Sequence, residues 1–100
     1  MRAAGLIVAA GRGERLGGTV PKQYLPVGGR TILHRSLAAL LALDELEAIA
    51  VVIHPDDRAR YAAAVAGLDD PRLLAPVIGG ADRAASVRAG LEALAPVAPE

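Results

Sequence analysis

The sequence predicts an α/β fold of three layers, in which a mostly parallel β-sheet lies between helices, and three observations support this prediction. Residues 48–53 form a continuous apolar run of strand length, typical of a parallel strand buried on both faces. Strand-type and helix-type segments alternate in the order β-loop-α-β-α-β-α, which calls for right-handed crossovers. The chain has 100 residues, enough for one compact unit with a small core.

The first strand is predicted from Leu6 to Ala10, and a glycine-rich loop follows it as far as Lys22. A loop of roughly eleven residues is longer than most connections between a strand and a helix, which indicates a functional segment. Residues 24–27 are expected to be extended, and residues 28–30 are expected to form a turn.

The first helix is predicted over residues 32–43, with Thr31 as its N-cap. Its apolar side chains cover so much of the circumference that the helix is expected to be largely buried against the sheet. These side chains are Ile32, Leu33, Leu37, Leu40, Leu41 and Leu43.

The second helix is predicted over residues 57–66, after a turn at residues 54–56, with Gly67 as the residue that ends it. The acidic pair Asp69 and Asp70 precedes a proline and is expected to form a solvated turn. The connection to the next strand is therefore expected to be exposed.

The third strand is predicted over residues 73–78, and Pro76 within it indicates an edge position or an irregular end. A bend at Gly79-Gly80 leads into a third helix, predicted over residues 82–94. Helical periodicity predicts an inward-facing stripe of Ala84, Val87, Leu91 and Leu94. A neighbouring line on the same helix holds Arg83, Ser86 and Gly90.

The glycine-rich loop predicts a phosphate-binding site. Glycines let backbone N–H groups approach an anion closely, and Arg12, Arg15 and Lys22 supply positive charge. Because ligands of parallel sheets bind beyond the carboxyl ends of the strands, this loop and the Gly79-Gly80 bend are expected at one edge of the sheet. The pattern favours a nucleoside triphosphate as the ligand.

Two better-known glycine-rich loops do not fit this segment. The P-loop pattern G-x-x-x-x-G-K-[ST] is matched at Gly13 and Gly18, but Thr19 stands where the pattern needs lysine. The dinucleotide pattern G-x-G-x-x-G fails because Gly17 comes one position late and Pro21 follows it closely. Neither loop type therefore accounts for the segment.

The composition excludes several classes of protein. Eleven basic and eleven acidic residues cancel to a formal charge of zero, so no broad basic field attracts nucleic acid or an anionic membrane. The absence of cysteine excludes a disulfide framework and thiol catalysis. No stretch approaches the about 20 apolar residues of a membrane span, and a cytoplasmic protein is expected. His34 and His54 have no further ligands at metal spacing and are assigned structural roles.

Two blocks of the sequence carry a family resemblance. The first is Ala9-Ala10-Gly11-x-Gly13-x-Arg15 followed by Pro21-Lys22-Gln23-Tyr24-Leu25, and the second is Gly79-Gly80-Ala81-Asp82-Arg83-Ala84-Ala85-Ser86-Val87. Together they resemble the 2-C-methyl-D-erythritol 4-phosphate cytidylyltransferases, over Ala3 to Leu94. The resemblance implies a Rossmann-like sheet of the nucleotide-diphospho-sugar transferase type, with residues 1–100 as its N-terminal, nucleotide-binding portion.

The resemblance implies the transfer of CMP from CTP to 2-C-methyl-D-erythritol 4-phosphate, a small phosphorylated polyol, with release of pyrophosphate in non-mevalonate isoprenoid synthesis. Arg15 and Lys22 are then the catalytic residues, which neutralise charge around the α-phosphate. Small residues and backbone groups bind the nucleotide at Ala9, Ala10, Gly11 and Gly13. The second block reads cytosine through Gly79, Gly80, Ala81 and Ser86, while Arg83 holds the loop.

In the family, further functional parts come after the segment that this chain resembles. They are an aspartate that holds Mg²⁺, an acceptor-binding arm that exchanges across a homodimer, and another lysine near the triphosphate. The 100-residue chain alone is therefore expected to have little or no transferase activity. Two alternatives stay open: another cytidylyl- or sugar-phosphate nucleotidyltransferase, such as a ribitol-phosphate enzyme, and a non-catalytic nucleotide-binding domain.

Overall fold

The computed structural model describes residues 3–10 and 22–95, except for the side chains of Lys22 and Val27. The strands are β1 (Ala3–Ala9), β2 (Pro26–Val27), β3 (Arg30–Thr31), β4 (Leu46–Ile53) and β5 (Val77–Ile78). The helices are α1 (Ile32–Leu41), α2 (Arg58–Ala64) and α3 (Arg83–Leu94), with short 3-10 helices at Lys22–Tyr24 and Pro55–Asp57.

A parallel sheet in the order β1-β4-β5 forms the centre of the structure, as the sequence predicts. Ala9 pairs with Ile53, and Ile53 pairs in turn with Ile78, so the three strands end at the same level. β4 is the middle strand, and residues 48–53 are all buried. Its continuous apolar run is explained by this position, because both of its faces are covered.

The helices cover the two faces of the sheet and give the predicted three layers. On one face, Ile49, Val51 and Ile53 belong to a core that includes α1 and α2 residues such as Leu37 and Tyr61. On the other face, side chains from β4 and α3 form a smaller core of Ala48, Ala50 and Leu94. The alternation of large and small side chains along β4 therefore makes the α3 face the thinner of the two.

The predicted N-cap of the first helix is confirmed, but the helix is less buried than predicted. The Thr31 Oγ1 accepts a hydrogen bond from the His34 backbone N–H over 3.0 Å. Only Leu33 and Leu37 are buried in α1, and Leu43 lies beyond the end of the helix with 44% of its surface exposed. The expectation of a largely buried helix was wrong because the helix lies on one face of the sheet and can bury only one stripe.

The predicted inward stripe of α3 is confirmed at Leu94 but was wrong for Ala84 and Leu91, which are exposed. Its buried residues are Ser86, Gly90 and Leu94, whereas Leu91 is 56% exposed. Small size decides this orientation, since a Cβ at Gly90 would lie 2.9 Å from the Val52 Cγ2 and would also overlap the Leu6 side chain. The helix therefore presents its small residues to the sheet and approaches it closely.

The third strand is shorter than predicted and irregular in the way that Pro76 indicates. Val77–Ile78 is its regular part, and Leu73 makes only an isolated parallel bridge to Ile49. β5 lies at one side of the described sheet, as expected of a strand interrupted by proline.

Two predicted turns are confirmed by glycines with positive φ. Gly28 and Gly29, at φ 64° and 87°, connect β2 and β3 as a two-residue antiparallel hairpin. Gly67, at φ 89°, lies just after α2, where a left-handed residue commonly ends a helix. α2 itself is shorter than predicted at both ends, because Asp57 belongs to the preceding 3-10 helix and Val65 is already the C-cap, two residues before Gly67.

The expectation of a solvated acidic turn was wrong for Asp70. Its carboxylate accepts hydrogen bonds from the Arg72 Nε and Nη2 over 3.1 and 2.9 Å. The same guanidinium donates to the carbonyl oxygens of Leu41, Leu43 and Leu46 over 2.6, 2.9 and 3.1 Å. Asp70 therefore holds an arginine that ties together the end of α1 and the start of β4.

Asp70→Asn is expected to lower the Tm at pH 7. The hydrogen bonds from Arg72 hold the pKa of the Asp70 carboxyl below its ordinary value of 3.8, so the ionised carboxylate stabilises the fold. This contribution is complete above the ordinary pKa and is lost as the pH falls through the lower pKa of the folded state. Thermal melts from pH 7 down to about pH 2 should show the Tm difference from wild type narrowing below pH 4.

Asp69→Asn is the matched control for this prediction, because Asp69 is exposed in the same turn. It should leave the Tm at pH 7 unchanged. A Tm difference that is the same for both variants, or that persists in full at low pH, would contradict a stabilising role for Asp70.

Candidate functional site

The carboxyl ends of β1, β4 and β5 meet at one edge of the sheet and leave a cavity there. The Gly79 N–H donates to the Ile53 carbonyl over 2.8 Å, which aligns the end of β5 with the end of β4. The cavity has a volume of about 400 Å³, within the range of small-molecule sites. It is lined by Val8, Ala10, His54, Gly80, Ala81, Asp82, Arg83 and Ser86.

The first sequence block is described only in part. Ala9 is buried at the end of β1, and Ala10 lines the cavity. Gly11, Gly13 and Arg15 lie outside the described residues, as do Arg12 and the side chain of Lys22. The roles of these residues stay predictions.

Gln23 connects the end of the glycine-rich loop to the cavity edge. Its Nε2 donates a hydrogen bond to the Ala9 carbonyl oxygen over 2.5 Å. Gln23 lies in the 3-10 helix that begins at Lys22, and Tyr24 in the same turn is buried in the core. The backbone at Lys22 is therefore anchored close to the carboxyl end of β1. Gln23 belongs to the first family motif, but this bond to the end of β1 was not predicted.

The Gly79-Gly80 bend needs glycine because of space. Neither residue has a positive φ. A Cβ at Gly79 would lie 2.7 Å from both the Ala10 Cβ and the Ser86 Oγ, distances that real Cβ atoms do not show. A Cβ at Gly80 would overlap the Ala85 side chain. The bend is therefore pressed between the end of β1 and the first turn of α3.

Ser86 supports this bend as well as lining the cavity. It is 3% exposed, and its Oγ accepts a hydrogen bond from the Gly80 backbone N–H over 3.1 Å. The hydroxyl proton is still available, because a serine hydroxyl both accepts and donates. The predicted role in base recognition is therefore compatible with a structural one.

Asp82 and Arg83 carry the charges that line the cavity. The Asp82 Oδ1 accepts from the Ala85 backbone N–H over 2.8 Å and so caps α3. Arg83 is exposed, and its expected role in holding the loop stays a prediction. The start of α3 therefore brings the Asp82 carboxylate, which also caps the helix, and the Arg83 guanidinium to the cavity.

The two histidines differ. The His34 Nδ1 lies 2.8 Å from the Ala64 carbonyl oxygen and links α1 to α2, which confirms its structural role. The His54 Nδ1 accepts from the Asp56 backbone N–H over 3.1 Å, which is also structural. His54 lines the cavity as well, a position that sequence reasoning missed. Its place directly after a buried parallel strand was the signal that could have found it.

Ser86→Ala is expected to weaken CTP binding about tenfold and to destabilise the fold by about 1 kcal/mol. The variant removes both the acceptor for the Gly80 N–H and the donor in the cavity. Titration calorimetry and urea denaturation measure these effects. Ser36→Ala, at an exposed position of α1, is the matched control and should change stability by less than about 0.5 kcal/mol. Equal CTP affinity in the two variants would contradict the assignment of Ser86.

Within residues 3–10 and 22–95, no three side chains of His, Cys, Asp or Glu come together as metal ligands. In the same part of the chain, every helix is too short or too polar to cross a membrane.

Comparisons with known proteins identify relatives of the chain. The sequence profile of the 2-C-methyl-D-erythritol 4-phosphate cytidylyltransferase family matches residues 3–99. A bifunctional enzyme IspD/IspF from Rhodospirillum rubrum is 52% identical over 99 residues, which are 99% of this chain and 25% of the relative. A 2-C-methyl-D-erythritol 4-phosphate cytidylyltransferase from Cereibacter sphaeroides is 52% identical over 95 residues, 95% of this chain and 41% of that enzyme.

A solved structure shows the same fold. The crystal structure of 4-diphosphocytidyl-2C-methyl-D-erythritol synthase from Anaerococcus prevotii matches with a TM-score of 0.76 and 28% identity, covering 95% of this chain and 38% of that one. The chain thus spans between a quarter and about two fifths of the length of these relatives.

Proposed function

The chain belongs to the 2-C-methyl-D-erythritol 4-phosphate cytidylyltransferase family, and from this premise we propose that it forms the CTP-binding part of an enzyme that transfers CMP to 2-C-methyl-D-erythritol 4-phosphate. One observation supports the proposal above others. The Gly79-Gly80 bend is held by Ser86 against Ala10, so residues of both family motifs border one cavity.

The proposed reaction needs positive charge more than it needs a base. A phosphate oxygen of the acceptor attacks the α-phosphorus of CTP, a new P–O bond forms, and the bond to the β-phosphate breaks as pyrophosphate leaves. The attacking phosphate monoester is largely ionised near neutral pH, because its second pKa is about 6. Arg15 and Lys22 are proposed to neutralise the charge that gathers in the five-coordinate transition state.

Ala9 and Ala10 are proposed to lie near the base and ribose, and Gly11 and Gly13 near the phosphates. Backbone groups of Gly79, Gly80 and Ala81 and the Ser86 hydroxyl are proposed to recognise cytosine, since a site built to pair with one base rejects a base that leaves its groups unpaired.

Mg²⁺ stays part of the proposal, with ligands outside the described residues. The Asp82 carboxylate lines the cavity but already caps α3, and a Mg²⁺ site needs further oxygen ligands. The described residues therefore do not make a metal site, and no step above depends on one. We further propose a homodimer in the cytoplasm, without nucleic-acid or membrane partners.

Pyrophosphate release from CTP in the presence of 2-C-methyl-D-erythritol 4-phosphate tests the proposal. We expect activity from a chain continued through the full length of the family and little or none from residues 1–100 alone. Comparable rates from both chains would contradict the proposal that residues 1–100 form only the CTP-binding part of the enzyme. An extended chain that binds CTP without releasing pyrophosphate would favour a non-catalytic nucleotide-binding domain. Preference for guanine or adenine nucleotides in a titration would contradict the assignment of residues 79–86.

A further inference from the structure

His54 is the first residue after β4, and it lines the cavity with 30% of its side chain exposed. We propose that His54 recognises the nucleobase, through a hydrogen bond that its Nε2–H donates to an acceptor atom of a bound pyrimidine. The inference rests on the proposed function, which supplies the nucleotide.

A backbone hydrogen bond determines which ring nitrogen of His54 carries the proton. The Asp56 N–H donates to the His54 Nδ1 over 3.1 Å, so Nδ1 is an acceptor and carries no proton. The Asp56 Oδ2 is 3.7 Å from the same nitrogen, too far for a hydrogen bond. A neutral imidazole whose Nδ1 accepts has its proton on Nε2. The ring therefore has one donor left for a ligand.

The strand register places His54 beside the proposed base-reading bend. Ile53 pairs with both Ala9 and Ile78, so the residues that follow these three are neighbours at the carboxyl edge. They are Ala10, His54 and Gly79. His54 is the middle one, and it follows the six buried residues 48–53 of β4, which give its backbone a fixed position.

Few polar side chains around the cavity are available to a ligand. One oxygen of the Asp82 carboxylate caps α3, and Ser86 accepts a backbone N–H of the bend but keeps its hydroxyl proton. Arg83 is exposed, so its long side chain is less restrained than the His54 ring, which a backbone bond orients. Among the described residues that line the cavity, His54 therefore joins the Ser86 hydroxyl as a donor whose position is set by a hydrogen bond to the backbone.

A donor at this position suits a pyrimidine. Cytosine has two acceptors on its pairing edge, O2 and N3, whereas uracil keeps O2 but carries a proton on N3. A donor directed at N3 favours cytosine, and a donor directed at O2 binds both bases. Comparison of CTP with UTP therefore identifies the acceptor atom.

Two matched variants distinguish nucleobase recognition by His54 from the structural hydrogen bond that its Nδ1 accepts from the Asp56 N–H. His54→Asn keeps an acceptor where Nδ1 lies but has no group that reaches as far as Nε2. His54→Gln places an amide N–H near the position of Nε2 but moves its acceptor away from the Asp56 N–H. Both variants of the whole protein would be titrated with CTP, UTP and inorganic tripolyphosphate, and their Tm values would be measured.

We expect His54→Asn to keep the wild-type Tm and to bind CTP about fivefold more weakly, while its tripolyphosphate affinity stays unchanged. His54→Gln should have a lower Tm but lose less CTP affinity. A loss of the same factor with UTP assigns the contact to O2, and a loss confined to CTP assigns it to N3.

Unchanged CTP affinity in His54→Asn overturns the inference, and so does an equal loss of tripolyphosphate affinity, which would place the ring at the phosphates. If His54→Asn loses stability together with affinity, His54→Gln decides: retained CTP affinity supports the inference, and lost affinity overturns it. A wild-type protein that binds no CTP contradicts the proposed function instead.

Discussion

Gly79→Ala is expected to lower CTP affinity at least about tenfold and to destabilise the fold by about 1–3 kcal/mol. The added methyl group would lie 2.7 Å from the Ala10 Cβ and the Ser86 Oγ, and 3.2 Å from the Val52 Cγ1. These atoms belong to or adjoin β1, α3 and β4, which pack against one another, so the bend itself must move. Titration calorimetry with CTP and urea denaturation measure the two effects.

Gly5→Ala is the matched control within the same sheet. The nearest atoms to a Cβ at Gly5 lie 3.5 Å away, in ordinary van der Waals contact. Loss of a strand glycine also lowers the entropy of the unfolded chain, so Gly5→Ala should be neutral or slightly stabilising. If Gly79→Ala bound CTP as tightly as Gly5→Ala, the bend would not belong to the nucleotide site.

Lys22→Gln is expected to lower the rate of pyrophosphate release by the full-length enzyme about a hundredfold, equivalent to the roughly 3 kcal/mol of one transition-state donor. Lys22 is the only lysine of the chain, beside ten arginines, which favours a compact ammonium at this position. The 3-10 helix that starts at Lys22 is anchored to the end of β1 through Gln23. Steady-state kinetics should show the loss in kcat, with a smaller change in KM for CTP.

Two further variants test whether the effect belongs to this ammonium. Lys22→Arg keeps the positive charge and should recover part of the rate, but not all of it, because a planar guanidinium does not replace a compact ammonium. Arg58→Gln removes an exposed cation from α2 and should leave kcat unchanged. Loss of a similar size in Arg58→Gln, or none in Lys22→Gln, would remove Lys22 from the proposed catalytic pair.

Local sequence rules predicted those parts of the fold that depend on neighbouring residues. The apolar run of β4 needs both faces covered, which implied a central parallel strand. Thr31 caps its helix where the sequence predicts, and Gly67 has the predicted positive φ, although α2 ends two residues earlier than predicted. Pro76 lacks a backbone N–H, so it correctly predicted an edge strand with an irregular part.

Other features depend on size or on distant partners and could not be predicted in this way. Hydrophobic periodicity predicted that Leu91 of α3 faces the sheet. The structure instead buries Ser86 and Gly90, because small residues let the helix approach the sheet. Arg72 donates to the Leu41 carbonyl, 31 positions away in sequence. No local pattern marks such a bond, so the sequence predicts a solvated turn where Asp70 in fact holds Arg72.

The candidate site also has parts that the sequence predicted and parts that it did not. Motif spacing identified the Gly79-Gly80 bend and Ser86, and the structure brings them to one cavity with Ala10. His54 has no further metal ligand near it in sequence, and only its place at the end of a buried parallel strand indicates that it borders the cavity. Arg15, Gly11 and Gly13 lie outside the described residues, so their predicted roles depend on the family motif.

Because α3 packs closely on the sheet at Gly90, a residue distant from the proposed nucleotide can influence which base the site prefers. Gly90 and Ser86 are four residues apart on the same face of α3, about 6 Å along the helix axis. A larger side chain at position 90 would move α3 away from β4. The Ser86 hydroxyl, one turn earlier in α3, would then tilt away from the Gly80 amide. Under the proposed function, a substitution at this contact between helix and sheet changes the selectivity between pyrimidines while every residue proposed to contact the nucleotide is preserved.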